Sequence, residues 1–144
     1  MRQLHEMTPA KMYMGKLPHD SDLLGELTAF CTQQNITLGY VTALGAVKKA
    51  RLAYYDQDRK VYEFFEINRH LEITNLIGNI SLKDNKPIVH AHITLADKEG
   101  KAFGGHLAEG TIVFASEVCI QVLSGDALVR GFDEVTRLPL WEDL

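Results

Sequence analysis

Cysteine is scarce in this chain of 144 residues: there are two, Cys31 and Cys119, far apart and each among apolar neighbours. A disulfide framework is therefore not expected, and free, buried thiols are the preferred reading. Long apolar runs are missing as well, none approaching the roughly 20 residues that a membrane-crossing helix needs. The opening Met1-Arg2-Gln3-Leu4-His5-Glu6 lacks the apolar core of a signal peptide. These absences point to a cytoplasmic protein without a membrane partner. Positive charge is short too, with 15 Lys and Arg against 19 Asp and Glu and a net charge of -4. A domain that grips nucleic acid through phosphates concentrates basic side chains on one surface. Here the sole basic cluster is Lys48, Lys49 and Arg51, which reads more naturally as a solvated strand edge. No nucleophile motif and no phosphate-cradling glycine loop occurs.

What is present is a globular balance, 46% hydrophobic and 24% charged, at a length that suits one domain over residues 1–144. A first strand is expected over Lys11–Leu17. Helix-start signals follow in Pro18-His19-Asp20-Ser21-Asp22, with Asp20 or Ser21 as the cap and Asp22 at the positive end of the dipole. Leu23, Leu24, Leu27, Phe30 and Cys31 then recur as one helical face, and Asn35 tolerates the left-handed conformation that ends it. After Asn35 every periodic segment is strand-like: 37–47, 50–55, 61–67, 71–82, 88–95, 101–106, 111–122 and 127–132. The connections are short, and parallel neighbours would need a crossover of about a dozen residues. The expected fold class is α+β, a strongly curled antiparallel sheet with an N-terminal helix packed on it. Gly45, Gly78, Gly104 and Gly105 stand in or beside strand patterns, where glycine marks a bulge, a bend or a close backbone approach.

The chemistry concentrates in histidine. In Val89-His90-Ala91-His92-Ile93 the two imidazoles are two residues apart, so an extended strand projects both from one face. A turn at Asp97-Lys98-Glu99-Gly100 closes a hairpin that brings His106 back level with His92. Whether His106 shares their face depends on register, because a slip of one residue flips every side chain. A bulge at Gly104-Gly105 is expected to set that parity. One His-x-His alone reads as a polar strand face; the third histidine turns the balance toward a metal. Three neutral imidazoles suit zinc, with Ni, Co, Cu or Fe as substitutes, and leave a coordination position open. Glu72 and Glu117 are the candidate fourth ligands or proton acceptors.

The segment Leu71-Glu72-Ile73-Thr74-Asn75-Leu76-Ile77-Gly78-Asn79-Ile80, with His90-Ala91-His92-Ile93-Thr94-Leu95-Ala96-Asp97 and Gly104-Gly105-His106-Leu107, resembles the plants and prokaryotes conserved (PPC) domain. The stretch Gly39-Tyr40-Val41-Thr42-Ala43-Leu44-Gly45-Ala46 is similar to it as well. That resemblance implies a curled antiparallel sheet, a homotrimer, and a metal site on His90, His92 and His106. Plant members carry AT-hooks and contact transcription factors, but no Arg-Gly-Arg-Pro core occurs in these residues. A trimeric metal-binding protein with a regulatory or DNA-associated role is thus expected, with a small-molecule ligand at the open position. The alternative is a hydrolase or lyase using metal-bound water, which needs Glu72 or Glu117 beside the metal. The tail Val135–Leu144 carries large apolar side chains that cover the core or reach a neighbouring subunit.

Overall fold

A computed structural model of the chain describes residues 4–142. β1 (Thr8–Lys16) leads into α1 (Leu23–Gln33), and eight strands follow. They are β2 (Gly39–Asp56), β3 (Val61–Ile67), β4 (Leu71–Lys83), β5 (Lys86–Ala96), β6 (Ala102–Leu107), β7 (Ile112–Ser124), β8 (Arg130–Phe132) and β9 (Pro139–Trp141). Among the described residues no helix is long and apolar enough to cross a membrane.

The cap of α1 is Asp22, one residue beyond the expected pair. Its Oδ1 accepts from the Gly25 amide at 2.7 Å while Oδ2 accepts from the Gly110 amide, so one carboxylate both starts the helix and fastens it to the loop before β7. Leu23, Leu27 and Cys31 form the buried face as expected, and α1 packs against β5. Asn35 ends the turn in the left-handed region with φ 51°. Cys31 and Cys119 are both free, the first buried and the second half-exposed.

The long sheet runs β1-β7-β2-β4-β5-β6, with every pairing antiparallel. The two strands expected over 37–47 and 50–55 are one continuous strand of 18 residues, β2. Its first half pairs with β4 and β7, and its second half with β3 and β6. A single strand serves four neighbours because it bends at Gly45, where its pairing with β4 slips between Ala43 and Gly45. Gly45 has φ 132°, and a Cβ there would lie 2.2 Å from the Ala115 carbonyl oxygen. No other residue type meets both demands. The bend lets the sheet curl until β6 reaches the far half of β2, pairing Leu52 with Leu107 and Ala53 with His106. The strands β2, β4, β5 and β6 thus close on one another.

Val41, Val47, Leu52, Leu76, Leu95, Leu107 and Val113 point inward with the helix leucines to form the core. The strand expected over 127–132 is shorter, Arg130–Phe132, and pairs with β9, a strand the sequence pattern does not announce, through Arg130 with Trp141, while Val129 bridges to Leu82 at the end of β4. Leu144 lies outside the described residues.

Candidate metal centre

On β5, Val89, Ala91, Ile93 and Leu95 face the core, so His90 and His92 necessarily face outward. The β5–β6 hairpin sets His92 directly opposite His106, and the pairing continues without interruption to Ala96 opposite Ala102. Directly opposed residues share a face. The bulge expected at Gly104-Gly105 is therefore absent; an even register does the work instead. The two glycines answer a different demand. A Cβ on Gly104 would come within 2.9 Å of the Ile93 carbonyl oxygen, and one on Gly105 within 2.9 Å of the Ala53 carbonyl oxygen. Their lack of a side chain lets β6 wedge between β5 and β2, and that wedge places His106.

The three rings come together with centroids 5.0–5.5 Å apart, and one nitrogen from each lies within 4.8 Å of the others. Burial, with Arg130 next in weight and then the neighbouring imidazoles, pushes the His90 ring down to about 4. Burial first, then His92 and Arg130, lower His106 as well. These two rings are neutral at physiological pH, the form that donates a lone pair to a metal. Among the described residues, His106 Nδ1 is buried with no hydrogen-bond partner. A buried polar atom without a partner costs roughly 1–3 kcal/mol, and a bound cation would satisfy such a nitrogen. The donor set and this orphaned nitrogen both fit a transition metal, zinc included.

The surroundings differ from the expectation. Glu72 stands opposite Ala96 at the start of β4 and Glu117 opposite Lys16 on β7. Each borders a different hollow from the one over the imidazoles. That hollow, about 670 Å³, is framed by Tyr55, Lys60 and Tyr62 beside the histidines, with no carboxylate among its lining residues. Tyr62 lies over His106 with ring centroids 5.0 Å apart. Asn79 pairs opposite His90 across β4 and β5, and Arg130 Nη2 sits 3.3 Å from His90 Nδ1. Asn79, Tyr62 and Arg130 were not singled out from the sequence. Asn79 was within reach of it, being two residues from Ile77 on the face that meets His90 and His92. Arg130 falls in the strand expected over 127–132, of which the structure keeps Arg130–Phe132, but nothing in that pattern marked its side chain.

The model of the Plants and Prokaryotes Conserved (PCC) domain matches residues 4–124, most of the chain. The chain belongs to this family. Among solved structures, a metal-containing protein of Archaeoglobus fulgidus is 39% identical, with a TM-score of 0.93 over 98% of this chain and 99% of that one. A plant- and prokaryote-conserved protein of Pyrococcus horikoshii is 34% identical, with a TM-score of 0.91 over 96% of each chain. The bifunctional protein GlmU of a Synechococcus strain is 32% identical over 123 residues, 85% of this chain and 18% of that protein. The PPC chain thus spans under a fifth of the length of the curated relative it matches, while it matches the two archaeal structures nearly end to end. The hairpin carrying the three histidines falls wholly within the matched residues.

Proposed function

We propose that this PPC protein is a metal-binding module, with zinc as the first-choice ion held by His90, His92 and His106, assembling as a homotrimer with a regulatory role. The carrying observation is the convergence of three imidazole nitrogens within 4.8 Å, one ring having a buried nitrogen without a partner. The archaeal relative of Archaeoglobus fulgidus, a metal-containing protein at 39% identity, supports the same reading. Three imidazoles would supply a neutral ligand set, leave the ion its full charge and keep one position open.

Metal analysis of tag-free protein tests this directly. About one equivalent per chain is expected, falling below about a tenth when all three histidines become alanine; retention of the metal in that triple variant would sink the proposal. The hydrolase or lyase alternative is not favoured, because neither Glu72 nor Glu117 borders the hollow over the imidazoles. DNA association ranks below the metal-binding module on charge grounds. Lys48 is paired with Asp20, and the Arg51 guanidinium lies 4.4 Å above the Phe64 ring. Loss of a gel shift at about 50 mM salt would remove it.

The trimer reading draws on the outward face of β2 and β4. There Tyr40, Leu44 and Ile77 are 44%, 57% and 52% exposed, with Ile77 opposite Thr42 in register and flanked on β5 by His92. Contiguous exposed apolar residues of this kind mark interaction surfaces.

A further inference from the structure

Arg130 is unusual in its surroundings. The residue is only 8% exposed, and a buried charge ordinarily requires a partner of opposite sign. Its guanidinium instead meets neutral acceptors. Nε donates to Ser81 Oγ at 2.9 Å, Nη1 to the Pro139 carbonyl at 2.8 Å, and Nη2 to Asn79 Oδ1 at 2.7 Å. Asp133 and Glu142 border a second hollow, which meets the one over the imidazoles at His90, yet among the described residues no carboxylate lies within 4.0 Å of the guanidinium. Asp133 is already committed to the Thr136 amide and hydroxyl.

The remaining Nη2 proton points to His90 Nδ1 at 3.3 Å. A neutral imidazole has one lone pair. If Nδ1 accepts from Arg130, the other nitrogen carries the proton and cannot bind a metal; if either nitrogen binds a metal, Nδ1 has no lone pair left for Arg130. Metal binding and the contact to Arg130 therefore exclude each other. With the site loaded, Arg130 would keep one unspent proton on each terminal nitrogen, against the His90 ring that would help hold the dication. Two positive groups flanking one neutral imidazole call for an anion that reaches both.

We propose that the metal-loaded site captures a small carboxylate, one oxygen at the open position of the metal and the other on Arg130. The inference rests on the metal-site reading above and names the ligand class for that site. A planar carboxylate matches a guanidinium fork, and the Trp141 ring, 5.5 Å from the guanidinium carbon, walls the hollow on the Arg130 side of His90, the one histidine that borders both hollows. The anion would neutralise one charge of the pair and restore the acceptor that His90 withdraws.

Protein stripped of metal and reloaded with one equivalent of Co²⁺ carries the test, because the visible bands of cobalt report its ligands without any assay of activity. Acetate is titrated at constant ionic strength balanced with perchlorate. The wild-type bands are expected to shift and saturate, and the midpoint to rise about tenfold or more in Arg130→Gln, with Arg130→Lys between. The acetate-free spectrum of each variant shows that its three-histidine site is intact; if Arg130→Gln fails to load cobalt, Arg130→Lys decides by the same comparison. Wild-type bands indifferent to acetate, or equal midpoints in wild type and variant, overturn the carboxylate proposal while leaving the metal site standing. A response to inorganic phosphate but not acetate overturns the carboxylate class. Failure of the wild type to take up cobalt overturns the metal reading and this inference with it.

Discussion

His106 illustrates how one side chain is costly without its ligand and useful with it. Among the described residues its buried Nδ1 has no hydrogen-bond partner, so an apolar ring of similar shape should serve the fold equally well once metal is removed. His106→Phe is expected to leave the stability of chelator-treated protein within about 1 kcal/mol of wild type. The rise in melting temperature on adding zinc should vanish in the same variant. Thermal melts with and without zinc check both halves. His90 adds a pH dependence. Its folded value of about 4 lies below the ordinary 6.5, so between those values the unfolded chain binds the extra proton and the native state does not. Stability of the metal-free protein should therefore rise with pH through that window and fall as the solution is acidified from 6.5 toward 4. Solvent screening of a partly exposed ring limits the contribution to about 1–2 kcal/mol. Urea midpoints across this range measure it, and His90→Ala should flatten the profile.

At the scale of elements, strand β2 carries the architecture through its bend. Gly45→Ala places a methyl group against the Ala115 carbonyl in a backbone region closed to side chains. A loss of about 3 kcal/mol or more is expected, read from urea denaturation, with zinc binding weakened because β6 no longer closes correctly. The return of His106 to the level of His92 was legible from the turn at Asp97–Gly100, while its face was not, since the register that sets it was assigned to a bulge that the uninterrupted pairing does not contain. The helix face was legible from local periodicity, while its cap shifted from Asp20 or Ser21 to Asp22 because Gly110, distant in sequence, supplies the second amide. The role of Gly104 and Gly105 was misread: a bulge and a close approach leave the same mark in a sequence, and only the neighbouring backbone separates them. Arg130 was invisible for a related reason. Its importance comes from Ser81, Asn79 and His90, about 40 to 51 positions earlier in the chain, and no periodic pattern records such a meeting.

For the whole molecule, the proposed trimer makes a direct prediction. Light scattering should give about three times the 16.2 kDa chain mass, and Leu44→Glu with Ile77→Lys should reduce it to one, since charges on that face would have to be buried at the interface. A monomer in the wild type would discard the assembly without touching the metal site, because all three histidines come from one chain.

That locality has a kinetic consequence. Most of the sheet joins residues far apart in sequence, as β2 does with β6 and β7, and such pairings form late. The ligand set, by contrast, lies within a single hairpin from β5 to β6, the kind of unit that forms in microseconds. The ion can therefore arrive before the fold does. A peptide spanning Lys86–Leu107 should take up zinc weakly on its own, and zinc in the refolding buffer should speed folding of the full chain as well as slow its unfolding. Metal held by the unfolded chain also subtracts from the stability that metal lends the folded one. The rise in melting temperature with zinc should therefore fall short of what the native affinity alone would give.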